Sequence, residues 1–362
     1  MKMLLKVFEA LRPTFEQGGK LRLLKPVYEA MENFFFAPST TTATAPHIRD
    51  PLDVKRFMSM VIIALLPCII AAFYFFGLRL AVMIVVSYAA GGTVEVVFAI
   101  VRKENINEGF LVTGMLFPLI LPPTLPLWMV ALGVAFGVFI GKELFGGTGR
   151  NVFNPALVGR CFLALAYPKT MSASWLEPSY NLTGRLFQYV DASNVDAISS
   201  ATPLALAKQG ELGSLSHLFL GSVSGSAGET SAIAIIIGGV FLLLTRVANW
   251  RTVVSILGSF ALLGGLLHYA QPETVGPVLW HLCAGGLLFG AFFMATDPVT
   301  SPTTNAAKWL YGITIGTAAV LIRNFTGYVE GVTFAILLGN IVAPILDEIV
   351  IGVRIRRLRS EA

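Results

Sequence analysis

The sequence predicts an all-α integral membrane protein with about ten transmembrane helices, arranged as two inverted five-helix repeats with proline-broken helices. Three observations lead to this fold class. The chain is 55% hydrophobic and only 13% charged, it contains long uncharged stretches, and broken apolar segments recur in its two halves. Soluble domains carry about 25% charged residues. The composition therefore excludes a soluble enzyme, a disordered linker and a disulfide-stapled secreted module.

Ten segments qualify as membrane spans when hydropathy is averaged over about 19 residues. A helix needs about 20 apolar residues to cross roughly 30 Å of hydrocarbon. The predicted spans are 57–77, 80–101, 108–122, 126–142, 151–168, 229–245, 252–270, 275–295, 308–323 and 330–350. The spans at 108–122, 151–168 and 308–323 are weak, which leaves room for one re-entrant segment.

Basic residues cluster at the ends of these spans, so the net charge of +5 is interpreted as an orientation signal rather than as a nucleic-acid site. Both termini are predicted to be cytoplasmic, because residues 1–56 hold nine Lys/Arg and the C-terminal tail is rich in arginine. The predicted divisions are a cytoplasmic N-terminal segment (1–56), a first five-helix repeat (57–168), an external loop (169–228), a second five-helix repeat (229–351) and a basic tail (352–362).

A faint internal repeat relates the two halves. Gly114-Met-Leu-Phe117 precedes a proline-rich break, and Gly286-Leu-Leu-Phe289 precedes another at Asp297-Pro-Val-Thr-Ser-Pro302. The offset of about 175 residues equals five spans, and an odd number of spans makes a repeat inverted. Matched breaks leave unwound backbone near the midplane, where it can hold ions or polar groups. The alternative is that glycine and proline are simply common in membrane helices.

Three carboxylates are costly in lipid and offer oxygen ligands to a small cation. Glu95 lies within the second span, Asp297 at the broken end of the eighth, and Asp347 in the last turns of the tenth. Function is favoured for Glu95, whereas an interfacial position explains Asp297 and Asp347 equally well. Phe289 and Phe293 share one helix face and can narrow a wet path, although a packed core is the favoured explanation for them.

A glycine-rich segment, Phe145–Pro155, enters the fifth span. Its Asn151 and Asn154 are about one helical turn apart, so both amides can point to one flat polar ligand. A nucleotide loop is a weak alternative, because the G-K-[ST] signature is missing. A helix–helix contact with polar caps is about as plausible as a ligand site.

The external loop contains Asp196-Ala-Ile-Ser199-Ser200-Ala201-Thr202-Pro203. Proline after Thr202 disfavours helix at the threonine itself. Small residues around a hydroxyl make a segment that another enzyme can accept in extended form. Considered alone, however, the segment is an ordinary turn or helix start.

This last motif resembles the D-[GA]-x-[ST]-[GS]-A-T acceptor of bacterial flavin transferases. The chain as a whole resembles the family of B subunits of Na⁺-translocating NADH:quinone reductases. The resemblance extends over almost the whole length, and the matching motifs are Gly18-Gly-Lys20, Pro26-x-Tyr-Glu-Ala30, His47-Ile-Arg-Asp50, Asn107-Glu-Gly-Phe110, Gly146–Pro155, Asp196–Thr202 and Met294-Ala-Thr-Asp-Pro298.

The related D-type protein of Rnf ferredoxin:NAD⁺ complexes typically lacks the N-terminal extension, which favours the quinone reductase. Two departures are Ser200, where glycine is commoner, and a short turn between the first two spans. Neither departure affects the acceptor threonine.

The resemblance implies a redox-driven sodium pump component in a bacterial inner membrane. It implies FMN joined to Thr202 by a phosphodiester within the motif Asp196, Ser199, Ser200 and Ala201, and noncovalent riboflavin near Asn151 and Asn154. Ubiquinone or menaquinone would be reduced near Gly91 and Gly92, and Na⁺ would move past Glu95, Asp297, Asp347, Phe289 and Phe293. Implied partners are the five other subunits (A, C, D, E and F) of a six-subunit complex, a flavin transferase, quinone and lipid, with no nucleic acid.

Two other functions remain open at this level. A passive channel for a small solute such as urea or ammonium suits inverted halves with broken helices, and a scaffold would use its carboxylates structurally. Covalent flavin is expected only for the redox-driven sodium pump, so it distinguishes this function from the channel and from the scaffold. The three cysteines, Cys68, Cys161 and Cys283, are far apart in the sequence and predict neither a zinc nor an iron–sulfur site.

Overall fold

The computed structural model describes residues 2–15, 21, 24–36, 54–104, 106, 109–178, 184–190, 201–272, 275–326, 328 and 331–361. These residues are helical, with no strand among them. The helices are α1 (Lys2–Phe15), α2 (Lys25–Phe36), α3 (Val54–Phe76), α4 (Arg79–Arg102), α5 (Gly109–Leu119), α6 (Leu127–Gly141), α7 (Pro155–Ala166), α8 (Pro168–Ala173), α9 (Pro203–Ala207), α10 (Leu215–Leu220), α11 (Ala232–Leu244), α12 (Trp250–Ala270), α13 (Val278–Cys283), α14 (Leu287–Phe289), α15 (Asn305–Phe325) and α16 (Val332–Glu361).

Five of the described helices are long and apolar enough to cross a bilayer: α3, α4, α6, α12 and α16. The chain is therefore a helical membrane protein, as the composition predicts. Three shorter apolar helices, α5, α7 and α11, lie at other predicted spans. α16 runs without interruption to Glu361, so residues 352–361 of the predicted basic tail are helical.

The helices of the two halves pair in the same order. In the first half α4 packs on α5 and α6, and α6 packs on α7; in the second half α12 packs on α13 and α15, and α15 packs on α16. The halves join where α3 contacts α11 and where α7 contacts α16. Glycine permits the closest approach between α6 and α7, because a Cβ added to Gly137 would lie 2.3 Å from the Pro155 carbonyl oxygen.

Each half contains one interrupted helix. α5 stops at Leu119 before a proline-rich stretch, and backbone N–H groups of Ala227 and Gly228 donate to the carbonyls of Leu121 (3.1 Å) and Leu119 (2.7 Å). In the second half α13 stops at Cys283, and the chain resumes as α14 and a π-helical turn, Gly290–Met294. Buried backbone groups at such breaks need partners. In the first half the loop before α11 supplies them.

A small hydrophobic cluster lies apart from the main core and holds α9 and α10 against α13. Its buried members are Leu204, Leu218, Trp280 and Ala284. The indole Nε1 of Trp280 also donates to the Gly213 carbonyl at 2.8 Å. This cluster fixes the position of the segment that begins at Thr202.

Candidate functional site

A cleft lies where the two halves meet, and it encloses about 700 Å³ of free space including its mouth. The N-terminal ends of α3, α5 and α7 and the C-terminal ends of α6 and α11 surround it. Its lining residues are Phe57, Met58, Val61, Gly109, Val112, Thr113, Leu116, Lys142, Thr148, Asn151, Asn154, Pro155, Leu242, Val247, Phe293, Thr296, Asp297, Pro298 and Val299. The cleft thus brings together both predicted asparagines, one predicted carboxylate and one predicted phenylalanine.

The asparagine pair stands at the start of α7. Asn154 is the N-cap of this helix, and its Oδ1 accepts the Ala156 N–H at 3.0 Å. Asn151 donates from Nδ2 to the Phe153 carbonyl at 3.2 Å. The preceding turn needs glycine, since Gly146 and Gly147 have φ of +111° and +88°. Amide groups beside apolar walls suit a flat ligand with a polar edge.

Asp297 also lines this cleft, just after the π-helical turn. Its Oδ1 accepts the Val299 N–H and its Oδ2 accepts the Thr300 hydroxyl, both at 3.2 Å. The carboxylate is therefore held by its own turn. Each oxygen has a further lone pair for a ligand in the cleft.

Glu95 has a basic partner that the sequence analysis did not identify. Lys142 Nζ donates to Glu95 Oε1 at 2.7 Å, and the side chains are only 3% (Lys142) and 7% (Glu95) exposed. Glu95 Oε2 has no hydrogen-bond partner among the described residues. A second ion pair, between Arg102 and Glu143 at 2.8 Å, lies beside the first. The sequence feature that points to this ion pair is Lys142 itself, because a basic residue at the end of a span can pair with a carboxylate as well as orient the span.

Gly91 and Gly92 do not line the cleft. Gly91 lies on the buried face of α4 with Glu95, one turn away. A Cβ added to Gly91 would lie 2.7 Å from the Phe110 ring and 3.0 Å from Val134, so Phe110 fills the space above this glycine. At Gly92 the corresponding distance to Phe110 is 3.4 Å. Gly91 is thus a packing requirement in this structure.

Phe289 and Phe293 contact each other in the core, with ring centroids 5.0 Å apart. Phe289 is completely buried, and Phe293 reaches the cleft while packing near Gly238 of α11. Of the two, Phe293 lines the cleft, and Phe289 packs against it in the core.

Asp347 joins α16 to the start of α15. Its two oxygens accept four hydrogen bonds: the Thr303 N–H (2.7 Å) and hydroxyl (3.0 Å), and the Thr304 N–H (2.9 Å) and hydroxyl (2.6 Å). The negative charge also lies at the positive end of the α15 dipole. In this arrangement Asp347 anchors the two residues that precede α15 to α16.

Thr202 lines a second pocket, which encloses about 360 Å³ including its mouth. The residue is extended (φ −66°, ψ 152°) and only 7% exposed, and its hydroxyl accepts the Ala205 N–H at 3.4 Å as the N-cap of α9. Small and hydroxyl-bearing residues dominate the pocket, whose lining is Thr202, Pro203, Leu204, Leu218, Val223, Ser224, Gly225, Ser226, Glu229, Thr230, Cys283 and Gly285. Of the remaining predicted motif, Ala201 is exposed. Asp196, Ser199 and Ser200 lie outside the described residues.

The other end of α9 is anchored as well. Lys208 Nζ donates to the carbonyls of Thr326 (2.7 Å) and Tyr328 (3.3 Å) beyond the end of α15. Partial burial lowers the pKa of Lys208. The helix that carries Thr202 is thus fixed to the second half of the bundle.

A buried charged cluster adjoins the Thr202 pocket. Arg160 Nη1 donates to Glu229 Oε1 at 2.9 Å, and Arg160 Nη2 donates to Ser226 Oγ at 3.2 Å. Arg323 Nη1 donates to the His281 carbonyl at 2.6 Å, while Arg323 Nε and Nη2 lack hydrogen-bond partners among the described residues. A Cβ added to Gly285 would lie 3.5 Å from Arg323 Nη2.

Among the described residues this cluster contains two guanidinium groups and one carboxylate, an excess of one positive charge. An uncompensated buried charge is expensive, which makes the neighbouring pocket favourable for an anion. Sequence analysis missed all three residues, although Arg160 interrupts a predicted span, and a charge within a span is a recognised signal.

Among the described residues there is no group of three or more His, Cys, Asp or Glu side chains that could hold a metal ion. Cys68, Cys161 and Cys283 are free thiols. The described part of the chain therefore gives no support for a structural zinc or iron–sulfur site.

Comparison with known proteins gives matches over nearly the whole chain. The model of the NQR2, RnfD, RnfE family matches residues 41–356. The B subunit of the Na(+)-translocating NADH-quinone reductase of Ectopseudomonas mendocina (strain ymp) is 38% identical over an alignment of 401 positions, covering 95% of this chain and 95% of that protein. The proteins of the same name from Azotobacter vinelandii (37%) and Klebsiella pneumoniae strain 342 (38%) cover 98% of each chain.

Proposed function

The chain belongs to the NQR2, RnfD, RnfE family, and from this premise we propose that it is the flavin-carrying membrane subunit of a Na⁺-translocating NADH:quinone reductase. The relatives with that name match at 95–98% of this chain, so their similarity includes most of the segment before residue 41. The D-type protein of Rnf complexes typically lacks this segment. Its presence in the match favours the quinone reductase over the Rnf alternative.

The membrane part is proposed to consist of ten spans in two inverted halves. The support is the matched order of helix pairing in the two halves and the interrupted helix in each of them. Both termini are proposed to be cytoplasmic, in a bacterial inner membrane. The cleft would then lie toward the cytoplasm and the Thr202 pocket toward the outside.

The observation that carries the proposed redox function is the buried hydroxyl of Thr202 beside a cluster with excess positive charge. A phosphodiester formed at this hydroxyl places one negative charge in the pocket. Arg160 and Arg323 supply the opposite charge, and Ser226 holds Arg160 at the pocket wall. FMN linked to Thr202 is thus chemically compatible with the residues present, and it would supply one-electron transfer.

Noncovalent riboflavin is proposed to bind in the cleft beside Asn151 and Asn154. Both pockets adjoin α7: its N-cap Asn154 lines the cleft, and its Arg160 donates to Ser226 and Glu229, which line the Thr202 pocket. Six residues of helix separate Asn154 and Arg160 by about 9 Å along the axis. Two flavins placed in this way lie beside different stretches of the same helix.

The quinone, ubiquinone or menaquinone, is proposed to react near Gly91 and Gly92. The sodium pathway is proposed to include Glu95, Asp297 and Asp347 with the aromatic pair Phe289 and Phe293. Support for this pathway is strongest at Asp297 and Phe293, which line the cleft. The five other subunits of the complex (A, C, D, E and F) and a flavin transferase are the proposed partners.

One experiment tests the redox function directly. The chain is produced together with its complex and the transferase, and the denatured polypeptide is examined for in-gel flavin fluorescence. Fluorescence that disappears in Thr202→Ala supports the proposal. A nonfluorescent wild-type polypeptide would instead favour a channel or a scaffold.

A further inference from the structure

The ion pair between Glu95 and Lys142 has one property that a purely structural pair does not need. Lys142 joins two environments, since its ammonium bonds to Glu95 Oε1 and the residue also lines the cleft. Glu95 itself does not line the cleft, and its Oε2 remains without a hydrogen bond among the described residues. A cation that reaches Glu95 from the cleft therefore meets Lys142 first.

We propose that Lys142 is a tethered cation that competes with Na⁺ for the carboxylate of Glu95. This inference rests on the proposed function, in which Glu95 belongs to the sodium pathway. In the structure the Lys142 ammonium is bound to the Glu95 carboxylate. Sodium binding requires that the ammonium move toward the cleft.

The competition follows from charge balance at a buried site. A single carboxylate is neutralised by one monovalent cation, so the ammonium and Na⁺ exclude each other energetically. Apparent affinity falls in proportion to the fraction of sites that are free to bind. The strength of the Glu95–Lys142 pair thus sets the sodium concentration at which the pathway is half occupied.

Lysine suits this role better than arginine. Its ammonium is a compact point charge on a flexible stem, whereas a guanidinium holds a carboxylate with two parallel bonds. Lys142 also lies just after the last residue of α6, outside regular helix, with φ −129° and ψ −58°. The side chain therefore starts from a junction between α6 and the turn that leads to Asn151.

The neighbouring charges fit the same scheme. Glu143 is compensated by Arg102, so it does not replace Glu95 as the main partner of Lys142. Asp297 lines the cleft and offers the displaced ammonium a carboxylate on the cleft side. Each of these groups thus has a position consistent with movement of Lys142 between Glu95 and the cleft.

The test uses the assembled complex in membranes, normalised to covalent flavin, with quinone reduction measured against sodium concentration. Lys142→Met removes the competitor and should lower the half-saturating sodium concentration at least about threefold, because every Glu95 is then free to bind. Lys142→Arg should raise that concentration about threefold or more, because the bidentate pair is harder to displace. The control Arg357→Met, which breaks an exposed ion pair with Glu361, should stay within about twofold of the unaltered protein.

An unchanged half-saturating concentration in Lys142→Arg, or an increase in Lys142→Met, overturns the inference. If Lys142→Met does not assemble, Lys142→Arg decides alone. Glu95→Gln distinguishes the proposed sodium pathway from the proposed competition by Lys142. An unaltered sodium curve for Glu95→Gln removes Glu95 from the proposed pathway, whereas a shifted curve with unresponsive Lys142 variants rejects only the competition.

Discussion

Arg160 of α7 and Glu229 before α11 form a hydrogen-bonded ion pair 2.9 Å long, and their side chains are only 5% and 4% exposed. The pair connects the two halves of the membrane domain at the wall of the Thr202 pocket. Burying two charges is tolerated only when both stay paired, since each ion loses its hydration. Contacts of this kind, together with the proposed cofactors, lead to five testable expectations.

Breaking the Arg160–Glu229 pair should destabilise the protein strongly. Arg160→Met leaves the Glu229 carboxylate buried without its main partner, at a cost of about 3–5 kcal/mol. The matched control is Arg357→Met, which breaks an exposed pair with Glu361 and should cost at most about 1 kcal/mol. The yield of assembled complex and its thermal unfolding midpoint measure the difference. Equal effects of the two variants would contradict the prediction.

Covalent flavin should depend on the hydroxyl of residue 202. Thr202→Ala removes the nucleophile and should abolish attachment, whereas Thr202→Ser should keep part of it. Thr230→Ala is the control, because it removes another hydroxyl of the same pocket that bonds to neither arginine and should leave attachment intact. Mass spectrometry of the peptide 196–204 provides the measurement. A flavin-bearing peptide from Thr202→Ala would show that the assignment is wrong.

Asn154 is expected to have two separable roles, as a helix cap and as a flavin ligand. Asn154→Leu removes both and should cost about 1 kcal/mol of stability in addition to noncovalent flavin. Asn154→Ser retains a capping oxygen and should lose flavin with little loss of stability. Extractable riboflavin is measured relative to covalent flavin. Full riboflavin content in Asn154→Ser would argue against an amide contact.

Gly91 should be sensitive to size because of Phe110. In Gly91→Ala the new methyl group meets the ring at 2.7 Å, and such overpacking costs about 1–3 kcal/mol. Gly92→Ala, where the distance is 3.4 Å, is the tolerated control. Adding Phe110→Leu to Gly91→Ala should restore the unfolding midpoint. If quinone binds at Gly91, the KM for quinone should stay raised in this stabilised double variant. A normal KM in the double variant would argue against a quinone site there.

Asp347 should contribute to stability through the start of α15. Asp347→Ala removes the acceptor of four hydrogen bonds and should cost about 1–2 kcal/mol, because hydrogen bonds to a charged acceptor contribute more than neutral ones. Glu348→Ala changes an exposed neighbouring carboxylate and should have little effect. Thermal unfolding of the complex compares the two variants. Equal unfolding midpoints would mean that the hydrogen bonds accepted by Asp347 contribute nothing to stability.

The class of the fold and several local features follow from the amino-acid sequence alone. A bilayer core offers no water to backbone groups, so continuous apolar runs must form helices, and five long ones do. The extended conformation of Thr202 also follows locally, because Pro203 disfavours helix at the preceding residue. Proline likewise predicts that α5 ends before Pro122, whereas the second-half helix is interrupted after Cys283, ahead of the predicted break at Asp297–Pro302. These features depend on neighbours within a few positions of the chain.

Which charged groups meet depends instead on how the helices pack. Glu95 finds Lys142 at a separation of 47 residues, Asp347 finds Thr303 at 44, and Arg160 finds Glu229 at 69. No helical period connects such positions, since each contact forms where ends or faces of different helices pack together. The free energy of burying a charged side chain depends on which partner the fold places beside it. The sequence alone therefore shows that Glu95 is unfavourable in lipid. The packing of α4 against α6 decides that Lys142 neutralises it.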